Sequence, residues 1–122
     1  MNNIELPTSG VTMRYHNGLL HSSWGQPAIA HSDGQAEWYC NGLRHREGDR
    51  PAVIRLMGGE EYWINGKLHR EGDKPAVIWP DGGKEYWKNG VPHRTKGPAV
   101  ITADGSRYWY RDGLMIRCKT VD

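Results

Sequence analysis

His69-Arg-Glu-Gly-Asp-Lys-Pro-Ala-Val-Ile-Trp-Pro-Asp-Gly-Gly-Lys-Glu-Tyr-Trp-Lys-Asn-Gly90 is one copy of a unit that the chain repeats. Close copies occupy residues 45–66 and 93–113, and a degenerate copy occupies residues 21–42. Counted from Gly18, the glycines that follow Asn or Asp at the end of each unit stand 24, 24, 24 and 23 residues apart. A fixed period of this length is typical of stacked supersecondary units.

Each unit carries two turn signals. The first is an Asn-Gly or Asp-Gly pair, whose residues tolerate the positive φ angles of a two-residue hairpin turn. The expected structural turn glycines are Gly18, Gly42, Gly66, Gly90 and Gly113. The second signal is an Asp-Gly pair, present as Asp33-Gly34, Asp81-Gly82 and Asp104-Gly105, for which the second copy has Met57-Gly58-Gly59.

Short runs that favour β-structure connect these turns. Pro-Ala-Val-Ile lies on one side of the second turn and Glu-Tyr-Trp on the other. No stretch shows a sustained period of 3.6 residues, so essentially no helix is expected. We therefore predict an all-β fold, an open antiparallel meander of tandem β-hairpin repeats with about nine or ten strands.

The length of 122 residues fits a single domain that spans residues 1–122. The repeats are placed at residues 21–42, 45–66, 69–90 and 93–113. Residues 1–20 and 114–122 are expected to cap the two ends of the array or to pair with a second copy, because end units face water or a partner rather than another repeat.

Composition and charge narrow the functional classes. The 16 basic and 14 acidic residues leave a net charge of only +2, which argues against a dedicated nucleic-acid binder. No segment approaches the ~20 apolar residues of a membrane span, and no signal peptide is recognised. Cys40 and Cys118 fall in no CxxC pair, so we expect reduced thiols in a cytoplasm, with a disulfide left open.

Three sets of titratable residues recur with the repeat. Equivalent residues of adjacent units lie two strands, or roughly 10 Å, apart, so neighbouring histidines cannot share a metal ion. We predict that each histidine closes its own loop and that there is no metal and no cofactor. The glutamates are expected to pair with the arginines that follow the histidines, and the loop acids Glu47, Asp49, Glu71 and Asp73 join in this pairing. The three sets are His21, His45, His69 and His93; Glu37, Glu61 and Glu85; and Arg46, Arg70 and Arg94.

The aromatic residues form the candidate binding surface. Side chains alternate along a strand, which divides the rings between two faces: Trp38, Tyr62, Tyr86 and Trp109 on one, and Tyr15, Tyr39, Trp63, Trp87 and Tyr110 on the other. Rings at a regular pitch can contact a partner, whereas the alternative is that they only fill the sheet surface. The predicted partner-binding residues are Trp38, Tyr62, Trp63, Tyr86, Trp87, Trp109, Arg46, Arg70 and Arg94.

Tyr108-Trp109-Tyr110-Arg-Asp-Gly113 and Glu85-Tyr86-Trp87-Lys-Asn-Gly90-Val-Pro-His93 resemble the MORN repeat family, whose unit places aromatics before an xNG turn, then a His, a Gly and a DG turn. The match recurs from about Tyr15 to Gly113. The resemblance implies a curved, single-layer sheet of hairpins with a groove, used for binding and often for dimerisation, without catalytic residues. The variant Arg-Glu-Gly-Asp-x-Pro-Ala-Val-Ile resembles arrays in phage and giant-virus proteins.

The leading hypothesis is a non-enzymatic protein-binding module. The sequence contains no GxSxG, Walker loop or HExxH motif, so we predict no catalytic residues. The phage-like variant implies a small viral protein that occludes a host defence enzyme in the host cytoplasm, an anti-CRISPR-type candidate. Two alternatives stay open, a carbohydrate or cell-wall module that uses the rings and an anionic-lipid or nucleic-acid binder that uses the arginines. A homodimer is also left open.

Overall fold

A computed structural model describes residues 2–5 and 10–121, and it has the open all-β meander that the sequence predicts. Residues 1, 6–9 and 122, which belong to the two expected terminal caps, lie outside the described residues. Within the described residues, one 3₁₀ turn spans Leu56–Gly58. The eighteen strands are β1 (Asn2–Glu5), β2 (Val11–His16), β3 (Leu19–Leu20), β4 (Ile29–His31), β5 (Ala36–Glu37), β6 (Tyr39–Cys40), β7 (Leu43–Arg44), β8 (Val53–Ile54), β9 (Glu60–Glu61), β10 (Trp63–Ile64), β11 (Lys67–Leu68), β12 (Val77–Ile78), β13 (Lys84–Glu85), β14 (Trp87–Lys88), β15 (Val91–Pro92), β16 (Val100–Ile101), β17 (Arg107–Arg111) and β18 (Leu114–Lys119).

One long antiparallel sheet runs through the whole array. Its strand order is β1-β2-β4-β5-β8-β9-β12-β13-β16-β17-β18, and β3 pairs with β2 beside this path. Three hairpins, β6–β7, β10–β11 and β14–β15, form two-stranded ladders of their own. Each inner repeat therefore contributes two strands to the main sheet and one hairpin beside it.

The structure has more and shorter strands than the nine or ten that the sequence predicts, because the aromatic strand of each inner repeat is divided in two. Trp38 stands between β5 and β6, and its N–H donates to the carbonyl of Ala52 in the main sheet at 2.7 Å. Its carbonyl accepts from the N–H of His45 in its own hairpin at 3.1 Å. The chain thus passes from the main sheet to the hairpin at this residue, and Tyr62 and Tyr86 are the equivalent points.

The hairpins also hydrogen-bond to one another. The N–H of Gly66 donates to the carbonyl of Arg44 at 2.8 Å, and the N–H of Arg46 donates to the carbonyl of Trp63 at 3.1 Å. Both bonds recur one repeat later. Successive repeats are therefore joined along the main sheet and again along the row of hairpins.

The core consists mainly of small side chains, joined by the rings of Trp38 and Tyr62 at 8% exposure. Val53 and Val77 are only 4% exposed, and no large side chain of the described residues is fully buried. The fold is therefore held by strand ladders and by half-buried rings and arginines more than by a thick apolar core. The completely buried residues are the alanines of the Pro-Ala runs, Ala28, Ala52, Ala76 and Ala99, each at 0% exposure.

The hairpin turns predict a strong effect of one glycine substitution. Asn65 and Gly66 have φ values of 48° and 79°, the positive pair that suits a two-residue hairpin. In Gly66→Val, the added Cβ would lie 3.2 Å from Cδ2 of Leu43, and a β-branched residue is strained at positive φ. We expect Gly66→Val to lower the free energy of unfolding by about 2–3 kcal/mol in chemical denaturation.

The matched control is Lys67→Val, which places the same side chain on the next, exposed residue of the same hairpin. We expect a change of less than about 0.5 kcal/mol for this surface substitution. Equal unfolding curves for the two variants would contradict the role of the glycine in the turn.

Candidate binding clefts between the repeats

The arginine that follows each inner ladder histidine covers an aromatic ring. The guanidinium carbons of Arg46, Arg70 and Arg94 lie 3.7, 3.7 and 3.8 Å from the ring centroids of Trp38, Tyr62 and Tyr86. Their Nη1 atoms donate to the carbonyls of Pro51, Pro75 and Pro98 at 3.1, 3.0 and 3.1 Å. A cation over a ring contributes about 0.5–2 kcal/mol, and the carbonyl bond holds the guanidinium in place.

Two of these arginines also bind an acid of the preceding repeat. Nε of Arg70 donates to Oδ1 of Asp49 at 2.8 Å, and Nε of Arg94 donates to Oδ1 of Asp73 at 2.8 Å. Nζ of Lys74 donates to the other carboxylate oxygen of Asp49 at 3.1 Å. The bonds from Arg70 and Lys74 lower the pKa of Asp49 to about 2, and the bond from Arg94 lowers the pKa of Asp73.

Three equivalent clefts lie between successive repeats, at the loops 21–26, 45–50, 69–74 and 93–97, which we call the loop face. The first cleft has a volume of 290 Å³ and is lined by Gly25, Arg46 and Arg50 among others. The second, of 320 Å³, is lined by Asp49, Arg70 and Lys74. The third, of 370 Å³, is lined by Asp73, Arg94 and Lys96. Each cleft also includes the ring that its arginine covers.

At the first repeat, an arginine from a different position bonds the proline carbonyl. Ser22 stands where the later repeats have the ring-covering arginine, and Arg14 stands where they have the ring. Nη1 of Arg14 donates to the carbonyl of Pro27 at 2.8 Å, as the later arginines do to their prolines. The proline carbonyl therefore keeps its guanidinium partner although the arginine comes from a different position.

Trp24 is the most exposed large apolar side chain of the described residues. It stands where the next repeat has Gly48, and it is 95% exposed. Its φ is 56°, in the left-handed region, which costs a residue with a Cβ about 1–2 kcal/mol. Trp24 is not among the residues predicted from the sequence, although it stands in the first unit where the next two units have Gly48 and Gly72.

The ladder histidines connect neighbouring hairpins. Nδ1 of His45 accepts the N–H of Asn65 at 2.9 Å, and Nδ1 of His69 accepts the N–H of Asn89 at 3.0 Å. Nε2 of His69 lies 2.9 Å from Glu71 in its own loop, which assigns the ring proton to Nε2. The prediction that each histidine closes its own loop is therefore incomplete, because Nδ1 binds the turn of the next hairpin.

The predicted pairing of the ladder glutamates with the cleft arginines is wrong. Glu37 pairs with Arg44 at 2.9 Å, and Glu61 pairs with Arg55. Glu85 accepts bonds from two indoles instead. Each arginine covers the ring that directly follows a glutamate in the sequence. Because successive side chains of a strand point to opposite faces, the arginine lies on the face opposite to that glutamate. The arginines concerned are Arg46, Arg70 and Arg94, and of the predicted loop acids Asp49 and Asp73 bind the last two.

The predicted partner-binding rings make contacts within the protein. Trp38 and Tyr62 are each only 8% exposed beneath their arginines, and Tyr86 is half-buried. Nε1 of Trp63 and of Trp87 donates at 2.8 Å to the glutamate two residues earlier. Trp109 is half-buried, and the guanidinium carbon of Arg117 lies 4.4 Å from the centroid of its ring. These rings thus contribute to the fold.

Comparisons with known proteins leave the site to be interpreted from its geometry. No protein-family model, no curated protein and no solved structure matches the chain. Within residues 2–5 and 10–121 no group of three or more His, Cys, Asp or Glu side chains is placed to hold a metal ion. Cys40 and Cys118 are free thiols. No helix of the described part of the chain is long and apolar enough to cross a bilayer.

Arg70→Lys tests the contribution of the guanidinium group. Lysine keeps the charge but loses the planar fork that bonds Pro75 and Asp49 while it covers a ring. We expect the free energy of unfolding to fall by about 1–2 kcal/mol. Arg107→Lys, on the exposed surface of β17, is the control and should change it by less than about 0.5 kcal/mol. Equal values for the two variants would show that the stacked arginine contributes nothing specific.

Acid unfolding tests the carboxylate of Asp49. Because its pKa is lowered from 3.8 to about 2 in the folded state, its ion pairs stabilise the fold above about pH 4, and this contribution is lost as the pH falls through about 2. The side chain is 42% exposed, so solvent screening limits the contribution to less than about 1 kcal/mol. At about pH 6 the parent should have the larger free energy of unfolding, and its difference from Asp49→Asn should vanish as the pH falls through about 2. A difference that does not change with pH would contradict this assignment.

Proposed function

We propose that this chain is a non-enzymatic protein-binding module that contacts its partner through the amino-terminal part of the loop face. The observation that carries the proposal is Trp24, which replaces a turn glycine, is 95% exposed and has a left-handed φ of 56°. Tryptophan is among the residues most enriched at the energetic centres of protein interfaces. An exposed indole held in an unfavourable backbone conformation is costly for the free protein, and a partner that covers it would offset that cost.

The environment of the other rings favours a protein over a sugar or a nucleic acid. Stacking on sugars or bases needs free ring faces at a regular pitch, whereas Trp38 and Tyr62 are buried beneath Arg46 and Arg70. In the second and third clefts, acidic side chains pair with the basic ones. This pairing weakens the positive electrostatic field that would attract a polyanion such as a nucleic acid.

The finer parts of the proposal rest on resemblance. The order of aromatics, Asn-Gly turn, histidine and second turn supports a relation to the MORN repeat family. The Pro-Ala-Val-Ile variant supports a small phage or viral protein that occludes a host defence enzyme in the host cytoplasm. A homodimer is a further proposal, for which the exposed edge strand β18 offers one surface.

The test is a comparison of two variants that each restore the residue of the other repeats. The tagged full chain is incubated with an extract of the cells in which it occurs, and bound proteins are identified and quantified. We expect one partner at near-stoichiometric yield with the parent and a loss of at least about tenfold with Trp24→Gly, because the indole is gone. Trp24→Gly should fold at least as stably, since glycine tolerates the left-handed φ.

Met57→Asp is the matched control. Met57 is 83% exposed with φ 65°, and it stands where other repeats have the aspartate of the second turn, at the opposite end of the unit. Binding should survive this substitution. Loss of binding with Met57→Asp but not with Trp24→Gly would refute the proposed surface, and recovery of no partner would refute the proposed function.

A further inference from the structure

The first cleft lacks the acid that the other two clefts contain. In the second and third clefts, Asp49 and Asp73 bind the guanidinium groups of Arg70 and Arg94, respectively. The equivalent position of the first cleft, one repeat before Asp49, is Gly25. Within residues 10–121 no carboxylate pairs with Arg46, whose side chain contacts the ring of Trp38 and the carbonyl of Pro51.

The backbone of the first cleft nevertheless matches the others. Trp24 and Gly25 have φ values of 56° and 77°, and the same two left-handed residues recur one repeat later as Gly48 and Asp49, at 80° and 53°. Nε1 of Trp38 donates to the carbonyl of Gly25 at 3.2 Å, which holds this loop against the cleft. A Cβ on Gly25 would meet no atom within 4 Å, so the space of the missing side chain is empty.

The basic side of the first cleft is retained. Arg50 stands where the second cleft has Lys74, which bonds the second oxygen of Asp49. Burial, together with the charge of Arg50, lowers the pKa of Arg46, as is usual for a cation that has a like charge nearby and no acid. The acid in this cleft is Glu47, which is 84% exposed at the side chain and lies beside His45.

We propose that the first cleft is a binding site for a carboxylate from an Asp or Glu side chain of a partner protein. The inference rests on the proposed function and names the group that the partner supplies. The carboxylate takes the place that Asp49 has in the second cleft, with its oxygens on Nε and Nη2 of Arg46 and near Arg50. An apolar residue next to that acid packs on Trp24, which borders Gly25.

A carboxylate is favoured over other anions because the protein itself places one at this position in two of three equivalent clefts. Arg70 holds Asp49 with donor distances of 2.8 and 3.4 Å, and Arg94 holds Asp73 with the same two distances. The fork of a guanidinium group suits the two oxygens of a carboxylate.

The direct test is a peptide titration of the full chain followed by NMR of the arginine Nε–H groups. The probe is a blocked peptide with an aspartate followed by a leucine, and the matched control peptide has asparagine instead. We expect a saturable shift of the Arg46 signal with the aspartate peptide and none with the asparagine peptide. Equal responses to both peptides, or a phosphoserine peptide that binds at least about tenfold more tightly, would overturn the assignment of a carboxylate.

Arg46→Gln should abolish the binding of the aspartate peptide. Arg117→Gln is the matched control, because Arg117 also covers a tryptophan ring and pairs with no described carboxylate, but it lies on the exposed strand β18. Binding that survives Arg46→Gln, or that is lost equally in both variants, would overturn the proposed site.

Gly25→Asp supplies the missing acid from the chain itself. We expect it to weaken peptide binding at least about tenfold, while Gly25→Asn, of equal size but neutral, weakens it less. The melting temperature of Gly25→Asp should exceed that of Gly25→Asn by about 2–4 °C, and the difference should vanish when Arg46 is also changed to Gln. Equal melting temperatures for the two variants would show that Arg46 does not receive a carboxylate at this position.

Asp49→Gly makes the converse change and should open a second site. The Nε–H signal of Arg70 should then respond to the aspartate peptide, whereas we expect no response in the parent, in which Asp49 pairs with Arg70. Absence of this response would count against the equivalence of the clefts on which the inference depends.

These outcomes separate the inference from the proposed function. A peptide that binds at Arg46 while no partner is recovered from the extract would support the carboxylate site and refute the protein-binding function. A recovered partner whose binding is unchanged by Gly25→Asp would support the function and refute the carboxylate site.

Discussion

The structure depends on a guanidinium group that bonds in three directions at once. Arg70 covers the ring of Tyr62 and binds the carboxylate of Asp49, both in the repeat before it, and it donates to the carbonyl of Pro75 in its own repeat. A sheet whose completely buried residues are all alanines has little other means of fixing the angle between hairpin and main sheet. The ring and carbonyl contacts recur at Arg46 and Arg94, and the carboxylate contact recurs at Arg94. These contacts stabilise a small domain that has no thick apolar interior.

Because of the same residues, we expect neighbouring repeats not to fold independently. The loop carboxylate of one repeat binds the arginine of the next repeat. The histidine Nδ1 after one hairpin and a carbonyl of that hairpin bind the turn of the next hairpin. Stability is then shared across each junction, as in other linear arrays. The loop face is consequently held in place from both sides, and an anion site built on it needs little ordering when a ligand arrives.

Much of the fold could be predicted because its determinants are local. The Asn65-Gly66 pair specifies a hairpin by its own conformational preference, and the 24-residue period shows that the hairpins stack. The division of the aromatic strand at Trp38 could not be predicted, because it depends on which neighbouring carbonyl the N–H reaches. The carboxylate that Arg70 binds belongs to Asp49, 21 residues away. The sequence could not distinguish this partner from the ladder glutamates, because the choice depends on how the repeats stack in three dimensions. Trp24 could not be predicted from the repeat, because it is a residue that does not recur: the next two repeats have Gly48 and Gly72 at this position.

The direction of the acid-to-arginine bond has one more consequence. The junctions at Asp49 and Asp73 present an acid on the amino-terminal side and an arginine on the carboxy-terminal side, so a duplicated copy of residues 45–68 inserted after residue 68 would meet a suitable neighbour at both of its boundaries. Such a duplication would extend the ribbon by two strands, or roughly 10 Å, and would leave the amino-terminal cleft as it is. The length of the array can therefore change by whole repeats during evolution, while the specificity of the amino-terminal cleft is preserved.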